Sequence, residues 1–195
     1  MAVYNIDGCQ DSCYPGTTVL VNKLNIRDQE SLTNAESILV TSCSTKVEKY
    51  MKFQKVDFEF YKNIHKQIFG DLYEWAGTFR KANFYKSERV LSGASAEYAD
   101  YRDIEKRLES LLQKYEKVDW SDIGQKGGVV SDFLLELWSI HPFREGNTRT
   151  CITFLWHYLK GKGDDFQVAL LRNNPMYVRD SLVMANFDRK EYLRK

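Results

Sequence analysis

The stretch from His141 to Arg149 reads HPFREGNTR, and its order of residues decides how the rest of the chain is interpreted. An apolar segment ends at His141, and a short acidic loop then leads into the next apolar segment. Because Pro142 disfavours α-helical geometry in the residue before it, a helix is predicted to stop at His141. The sequence therefore predicts an imidazole at the mouth of one helix, close to the start of the next.

The polar residues of this stretch have roles that suit a phosphate-containing substrate. Histidine has the pKa for proton abstraction near neutrality, so His141 is a candidate general base. Glu145 offers carboxylate oxygens, which Mg²⁺ prefers, and Mg²⁺ accompanies phosphates in proteins. Gly146 and Asn147 precede a predicted helix whose N-terminal N–H groups attract phosphate, and Arg149 in its first turn can grip phosphate oxygens as a fork. Each residue alone also has a structural explanation, but together they favour chemistry on a nucleoside triphosphate over a binding module.

Length, composition and charge fit one globular domain over residues 1–195. The hydrophobic fraction of 43% and the charged fraction of 28% are ordinary for a globular chain. A net charge of +1 argues against a nucleic-acid partner, and no apolar run approaches the roughly 18 residues of a membrane span. The N-terminus lacks the pattern of a signal peptide, and the four scattered cysteines suit neither a disulfide scaffold nor zinc. We therefore expect a cytoplasmic protein that has no membrane partner.

Hydrophobic periodicity predicts an all-α domain that follows an irregular segment over residues 1–27. Asp28 is predicted to cap the first helix, and Pro175 fits the first turn of the last one. Residues 79–93 are aromatic and polar by turns and are predicted to form a small β-hairpin. The first predicted helix begins at Asp28. The other predicted helices cover residues 57–69, 95–115, 121–140, 148–159, 166–171 and 175–186.

The stretch from His141 onward resembles the signature of the Fic family, the Fic/Doc fold, which is written HxFx[DE]GNGRxxR. The matching positions are His141, Phe143, Glu145, Gly146, Asn147 and Arg149. Residues 14–24 and 64–77 also resemble family segments, so the resemblance covers most of the chain. It implies a single Fic domain over 1–195, an all-α Fic-type helical bundle with one β-hairpin flap over 79–93 and a C-terminal helix within 174–195.

The resemblance also implies a function, that of a protein adenylyltransferase or AMPylator. Such enzymes move AMP from ATP and Mg²⁺ to a Ser, Thr or Tyr hydroxyl of a protein target, and self-modification is expected as well. His141 matches the catalytic base, and Glu145 matches the metal ligand. The flap near Lys86 and Ser87 matches the segment that holds the target by strand pairing. The donor-binding positions are Lys86, Ser87, Gly146, Asn147, Thr148 and Arg149. The resemblance is compatible with a homodimer.

Two positions depart from the family signature. Thr148 stands where the signature has its second glycine, and a Cβ there can crowd a phosphate, although the hydroxyl can cap the helix or donate to phosphate. Ile152 stands where the signature has its last arginine, which helps to hold the γ-phosphate in the family. The grip on the γ-phosphate and the choice of ATP are therefore open, and Arg144 is a candidate substitute cation.

A regulatory motif of the family, [ST]xxxE[GN], is incomplete in this chain. Residues 31–36 read SLTNAE, with alanine at the glutamate position and Glu36 one place late. Residues 181–186 read SLVMAN, again with alanine in place of glutamate. Because Ile152 replaces the arginine with which that glutamate pairs, no partner for an inhibitory ion pair is expected. The sequence predicts weak or absent self-inhibition.

Two alternatives to adenylyl transfer stay open on the sequence. The loss of the arginine at position 152 allows the same fold to transfer another phosphate-containing group, either from a different nucleotide donor or as a phosphoryl group. A non-catalytic protein of the same fold that binds a nucleotide or a partner is the second alternative. The presence of both His141 and Glu145 argues against it.

Overall fold

The structure is a computed structural model that describes residues 4–5, 12–50, 56–83, 85–120, 126–164 and 167–187. Over these residues the chain forms seven α-helices and one pair of two-residue strands, which confirms the all-α class. In chain order the elements are β1 (Tyr4–Asn5), α1 (Gln29–Tyr50), α2 (Phe58–Phe69), β2 (Tyr85–Lys86), α3 (Ile104–Glu116), α4 (Lys126–Ile140), α5 (Asn147–Gly161), α6 (Val168–Asn173) and α7 (Pro175–Asn186).

Helix α2 packs against α1, α3 and α5, and its ends follow directly from the sequence. The Asp57 carboxylate accepts a hydrogen bond from the Phe60 N–H at 3.0 Å, which caps the helix as Ser, Thr, Asp and Asn do at this position. At the other end, the Gly70 N–H donates to the Lys66 carbonyl. The spacing predicted one apolar stripe of Phe58, Tyr61, Ile64, His65 and Ile68; its last four residues are buried, and Phe58 is partly buried.

Helix α5 is the buried helix that begins at the predicted site. It packs against α2, α4 and α6. Phe154 and Leu155 are fully buried along it, and each such side chain contributes about 1.5–3 kcal/mol by leaving water. Because α4 ends at Ile140 and α5 begins at Asn147, the loop from 141 to 146 lies between two packed helices. The bundle therefore fixes both ends of this loop.

Most predicted helix boundaries are confirmed, including the Asp28 cap of α1 and Pro175 in the first turn of α7. The helix predicted over 95–115 is wrong at its start, because α3 begins at Ile104. Polar side chains explain the delay: Asp100 accepts from the Arg102 N–H at 2.9 Å and Asn83 accepts from the Tyr101 N–H at 2.9 Å. The start predicted at 121 lies outside the described residues, and α4 ends at Ile140 as expected.

The predicted hairpin over 79–93 is only partly correct. The chain does turn back here, but a single antiparallel bridge between Ser87 and Ser95 closes the turn. The expected return strand is a 3-10 turn over Arg89–Leu91 instead. Strand β2 pairs with β1, in the register Tyr4 opposite Lys86 and Asn5 opposite Tyr85. A ladder to the N-terminal segment could not be predicted from local pattern alone. Position 84 lies outside the described residues.

Two cysteines of the described chain are free thiols. Cys151 is buried in α5, with its Sγ 3.0 Å from the Tyr61 hydroxyl, and burial raises the pKa of this thiol to about 12. Cys151 is therefore a packing residue rather than a nucleophile. Among the residues that the structure describes, no helix combines the length and the apolar character needed to cross a membrane.

Candidate active site

His141 lies directly after the last residue of α4, as Pro142 predicted. Its N–H donates to the Trp138 carbonyl at 3.1 Å, and its φ of +49° is in the left-handed region. That conformation costs a non-glycine residue about 1–2 kcal/mol, so the surroundings must hold it in place. The imidazole stacks on the Tyr98 ring at 3.9 Å between centroids and meets the edge of Trp138 at 5.1 Å. His141 is thus fixed in both its backbone and its ring.

Arg80 is the residue that holds the His141 backbone. Its Nε donates to the His141 carbonyl at 2.8 Å, and its own N–H donates to the Pro142 carbonyl at 2.8 Å. The rest of the guanidinium donates to the carbonyls of Ala82 and Ala99. Arg80 is buried, and burial lowers its pKa to about 10, which keeps it cationic at neutral pH. The role of Arg80 could not be predicted from the sequence, because nothing in a polar loop indicates which distant carbonyls an arginine meets.

The buried imidazole is neutral at physiological pH. Burial lowers the pKa of His141 well below 6.5, and the Lys86 cation lowers it further, while the Glu145 carboxylate acts in the opposite direction. Its Nδ1 lies 3.4 Å from the Trp138 carbonyl, which can only accept. Nδ1 therefore carries the proton, and Nε2 is the unprotonated ring nitrogen. A neutral imidazole with Nε2 unprotonated is the form that a general base requires.

Glu145 is held from both its backbone and its side chain. The Gly146 N–H donates to Glu145 Oε1 at 2.9 Å, and Lys86 Nζ lies 3.7 Å from Oε2. The Glu145 carbonyl accepts from His65 Nε2 at 3.0 Å. Since His65 Nδ1 accepts from the Gly77 N–H, Nε2 must be the protonated nitrogen. His65, a buried residue of α2, therefore also positions the metal-ligand candidate.

Gly146 and Asn147 shape the turn into α5. Gly146 has a φ of +78°, and a Cβ on it would lie 2.3 Å from a ring carbon of Phe69, so no other residue fits. The Asn147 side chain accepts from the Phe143 N–H at 2.9 Å and donates to the Phe143 carbonyl at 2.8 Å. The Asn147 side chain is therefore engaged, and Asn147 can bind an anion only through its backbone N–H. This N–H is in the first turn of α5, where backbone N–H groups have no acceptor within the helix.

Thr148 and Arg149 are in the first turn of α5, next to this turn. The Thr148 hydroxyl oxygen accepts from Trp138 Nε1 at 2.9 Å, which leaves its own proton to donate. Arg149 lies over the Phe69 ring at 4.8 Å and within 4.0 Å of Glu145 Oε1. With 31% of its side chain exposed, Arg149 can still reach a phosphate.

Lys86 and Ser87 lie in the flap, and Lys86 places the flap beside Glu145. Lys86 is buried, and its N–H donates to the Ser95 hydroxyl at 2.9 Å. The Ser87 hydroxyl donates to the Gly93 carbonyl at 3.0 Å and so closes the loop. Of these two predicted donor-binding residues, only Lys86 has its side chain directed at Glu145.

The residues of this site lie in a segment that matches a known protein family. The profile of the Fic/DOC family matches residues 55–159, more than half of the chain, and includes Arg80, Lys86 and the whole stretch from His141 to Arg149. The chain belongs to the Fic/DOC family. No Fic/DOC segment is matched before residue 55, so α1 and both ends of the chain lie outside the profile.

Two relatives of the Fic/DOC family are similar over most of the chain. The chain is 32% identical over 155 residues to protein adenylyltransferase VbhT of Bartonella schoenbuchensis. The aligned residues cover 76% of this chain and 30% of VbhT. It is 36% identical over 147 residues to the probable protein adenylyltransferase y4lH of Sinorhizobium fredii, which is 73% of this chain and 71% of y4lH. This chain therefore matches less than a third of the length of VbhT.

Two solved structures share the fold. The BepC protein of Bartonella tribocorum, solved with bound AMPPNP, superposes with a TM-score of 0.75 at 20% identity and covers 95% of this chain and 93% of its own. The N-terminal Fic domain of a Bartonella quintana effector, solved with bound ADP, superposes with a TM-score of 0.73 at 19% identity. The superposition covers 94% of this chain and 90% of that domain's chain. At these identities the likeness shows the fold alone.

Glu36, which stands one place after the glutamate position of the incomplete regulatory motif, has a cation partner in the structure. Glu36 in α1 accepts from Arg149 Nη2 at 2.8 Å and from the Tyr73 hydroxyl at 2.6 Å. The pair therefore uses the first arginine of the Fic/DOC signature, while Ile152 is buried with 4% exposure. Because Glu36 lies about one hundred residues away in sequence, its approach to Arg149 depends on how α1 packs on the bundle.

Glu145 suits Mg²⁺ as a single protein ligand. Among the described residues, no group of three or more His, Cys, Asp or Glu could enclose a metal ion. Mg²⁺ in phosphate-binding sites commonly takes one or two carboxylates, with phosphates and waters as its remaining ligands. Glu145 Oε2, 24% exposed at the side chain and 3.7 Å from Lys86, fits that arrangement.

A small cavity beside Glu145 extends the site toward α1. It has a volume of about 180 Å³ and is lined by Arg144, Glu36 and Tyr73, together with Thr18, Leu20 and residues in the first two turns of α1. Arg144, the candidate substitute for the missing arginine, therefore lies on the Glu36 side of the site. Two carboxylates share this cavity with it, Glu36 and Glu145.

Proposed function

We propose that this chain is a protein adenylyltransferase that transfers AMP from ATP to a hydroxyl side chain of a protein and also to itself. The observation that carries the proposal is the neutral, buried imidazole of His141 beside the turn of Glu145 and Gly146 that leads to Arg149. A binding module needs an anion site but no general base. The names of the relatives VbhT and y4lH support the same activity.

The reaction that fits this geometry is an in-line displacement at the α-phosphorus. His141 Nε2 takes the proton from a Ser, Thr or Tyr hydroxyl, and the oxygen forms a bond to the α-phosphorus. The bond from that phosphorus to the bridging oxygen breaks, and pyrophosphate leaves. A positioned base of this kind accelerates a reaction by about 10²–10⁴-fold, and alignment supplies much of the rest.

The donor phosphates would lie at the N-terminus of α5. The N–H groups of Asn147 and Thr148 and the side chains of Arg149 and Lys86 would neutralise them there. Bound Mg²⁺ would be held by Glu145 and would neutralise the bridging phosphate oxygens. The Thr148 hydroxyl proton can donate to a phosphate oxygen, in place of the close backbone approach that a glycine allows.

The flap would hold the target. We propose that a target segment pairs with the β2 edge, next to Lys86 and Ser87, in the position that β1 occupies in this structure. Backbone pairing carries little side-chain information, so a small flap of this kind suits a range of extended segments. The closeness of Lys86 to Glu145 supports this position, since it puts the β2 edge beside the proposed metal ligand.

A different donor remains the alternative to ATP. Ile152 is buried in α5, so the γ-phosphate would lack the arginine that the family signature has at this position. The same base and turn could then serve another nucleotide, or transfer a phosphoryl group instead of AMP. Radiolabelled donors offered side by side, with label in the α- or the γ-phosphate, distinguish these reactions.

The deciding experiment is intact mass spectrometry of the purified chain after incubation with ATP and Mg²⁺. The native chain should gain the mass of AMP, and His141→Gln should not, while calorimetry should show that His141→Gln still binds the nucleotide. His157→Gln is the matched control, since His157 is in α5 and packs against Phe60 and Trp156, away from the phosphates. Equal AMP transfer by native protein and His141→Gln would refute the proposal.

A further inference from the structure

The ring orientation of His141 depends on its neighbours. The χ2 torsion of a histidine is broad, so a base of this kind needs contacts that select one orientation of the ring. The Trp138 carbonyl, 3.4 Å from Nδ1, marks the orientation in which Nε2 is unprotonated, but a hydrogen bond of that length is weak. The Tyr98 ring covers one face of the imidazole, with 3.9 Å between centroids and 24° between the ring planes. This stack restricts the rotation that the long hydrogen bond leaves open.

The backbone on both sides of Tyr98 is bound to other parts of the bundle. The Glu97 carbonyl accepts from Asn186 Nδ2 at 2.8 Å, and the Ala99 N–H donates to the Ser139 carbonyl at 3.2 Å. The Asn186 side-chain oxygen also accepts from the Ser139 hydroxyl at 2.9 Å. Because Ser139 lies in the last turn of α4, these bonds fix Tyr98 relative to the imidazole that follows that helix.

Helix α7 also holds the carboxylate that acts on the Tyr98 hydroxyl. Burial raises the pKa of this hydroxyl, and the Glu88 carboxylate raises it further, so the hydroxyl is protonated at neutral pH. Glu88 is 1% exposed, and Arg179 Nη2 donates to its two carboxylate oxygens at 2.8 and 2.6 Å. Both Arg179 and Asn186 belong to α7, which lies outside the segment matched by the Fic/DOC profile.

We propose that Tyr98 is a positioning residue for His141, and that α7 holds Tyr98 against the imidazole through Asn186. The inference rests on the proposed function and deepens it, because transfer requires Nε2 to be aimed at the acceptor hydroxyl. A misplacement of about 1 Å can lower the rate of a reaction by about 10²-fold. The Tyr98 ring therefore acts on the rate through His141, without contact to the donor phosphates.

Replacements of Tyr98 separate the effect of its ring from that of its hydroxyl. Tyr98→Leu removes the stack, so kcat for AMP transfer should fall about tenfold or more, while KM for ATP changes by less than about twofold. Tyr98→Phe keeps the ring and should retain most of the native kcat. A native kcat in Tyr98→Leu, or an equal loss in both variants, would overturn the proposal.

Tyr115→Leu is the matched control for the loss of a stacked tyrosine ring. Tyr115 is 3% exposed and stacks on Phe133 at 4.2 Å between centroids, where α3 packs against α4. Tyr115→Leu should lower the thermal stability but leave the kcat of the folded protein unaltered. A fall in kcat as large as that in Tyr98→Leu would show that loosening of the bundle explains both, and the proposal would be wrong.

A double-mutant cycle tests whether Asn186 acts through Tyr98. Asn186→Ala should lower kcat severalfold in the native background and should have no further effect in Tyr98→Leu, because the contact it supports is already absent. Asn174→Ala is its control, since the Asn174 side chain donates to the Leu170 carbonyl at the other end of α7. Independent effects of Asn186→Ala and Tyr98→Leu would overturn the part assigned to Asn186.

Nuclear magnetic resonance of the ring nitrogens reports on the imidazole without any turnover. Long-range proton–nitrogen spectra of the three histidines distinguish the two neutral tautomers of each ring. We expect one His141 tautomer, protonated at Nδ1, in the native chain and in Tyr98→Phe, and a mixture of both tautomers in Tyr98→Leu. A single unchanged tautomer in Tyr98→Leu would overturn the positioning role.

Failure of this inference is distinguishable from failure of the proposed function. If the native chain transfers AMP and Tyr98→Leu transfers it equally fast, the Tyr98 assignment is wrong and the proposed function stands. If ATP labels no protein but Tyr98→Leu shows the mixture of tautomers, the proposed function is wrong and the positioning of the imidazole by Tyr98 stands.

Discussion

Arg80 Nε donates to the carbonyl oxygen of His141 at 2.8 Å, and so an arginine outside the signature holds the proposed base. The contact joins the start of the flap segment to the residue directly after α4. His141 has a φ of +49°, which its own side chain does not favour. Arg80 therefore helps to stabilise a strained backbone at the point where the imidazole must be aimed.

We predict that Arg80→Lys lowers kcat much more than it changes KM for ATP. Lysine keeps the charge but lacks the planar fork that reaches several carbonyls, so the His141 backbone relaxes while the phosphate site at α5 is retained. Hydrogen bonds to a charged group contribute about 1.5–3 kcal/mol, so a fall of about ten- to a hundredfold is expected.

The control for this prediction is Arg102→Lys. Arg102 pairs with Asp100 at the surface, where 73% of its side chain is exposed, so the same chemical change should leave kcat unaltered. Thermal unfolding of both variants separates positioning from folding. A native kcat in Arg80→Lys would show that His141 does not depend on this contact.

Gly146→Ala is predicted to impair both stability and transfer. The added Cβ would lie 2.3 Å from a Phe69 ring carbon, and the φ of +78° is strained for alanine. Phe69→Leu should relieve the clash but not the backbone strain, which costs about 1 kcal/mol or more. Denaturant unfolding should therefore show partial rescue in the double variant. Gly127→Ala is the control, because a Cβ there meets nothing within 4 Å.

The pH dependence of kcat/KM should have its acid limb below pH 6.5. A base must be unprotonated, and burial together with the Lys86 cation lowers the pKa of His141 well below its ordinary value. The rate is therefore retained as pH falls through 6.5 and declines only at the lower, folded-state pKa. Lys86→Gln removes a cation that lowers this pKa, so its acid limb should move to higher pH.

Comparison of the pH profiles of kcat/KM for the native chain and for Lys86→Gln isolates the effect of Lys86. Titration of ATP itself is identical in both, so a difference in the limbs reports on the enzyme. Glu145 acts on His141 in the opposite direction, and Arg80 acts in the same direction as Lys86. An unchanged acid limb in Lys86→Gln would show that the imidazole is not the titrating base.

Local signals in the sequence predicted much of this structure. Pro142 marked the end of α4, Asp57 and Asp28 marked helix starts, and the stripe on α2 marked a buried face, because each acts within a few residues. Phe143, one of the positions that match the family signature, is fully buried and stacks on His65 at 3.8 Å.

The features that could not be predicted from the sequence are long-range contacts. Arg80 meets the His141 carbonyl and Glu36 meets Arg149, and both contacts join residues that are far apart in the chain. The pairing of β2 with the N-terminal strand is a contact of the same kind. Such contacts depend on how helices pack, which hydrophobic periodicity does not specify.

Removal of the Glu36 charge tests whether the ion pair with Arg149 restrains transfer. We predict that Glu36→Gln raises the transfer rate by about fivefold at most, because the pair is partly exposed and such pairs contribute about 1 kcal/mol or less. Release of Arg149 gives the phosphates a free fork, while Tyr73 can still donate to the amide oxygen. Glu30→Gln, an exposed change in the first turn of the same helix, should have no effect.

The size of the effect distinguishes weak from strong control. A rise beyond about tenfold would require more than about 1.4 kcal/mol from the pair, and would identify Glu36 as a strong inhibitory residue acting through Arg149 rather than through position 152. Titration of ATP binding by calorimetry gives an independent reading. Under weak control, the Kd for ATP should fall in Glu36→Gln by the same small factor as the rate rises, because both depend on one ion pair.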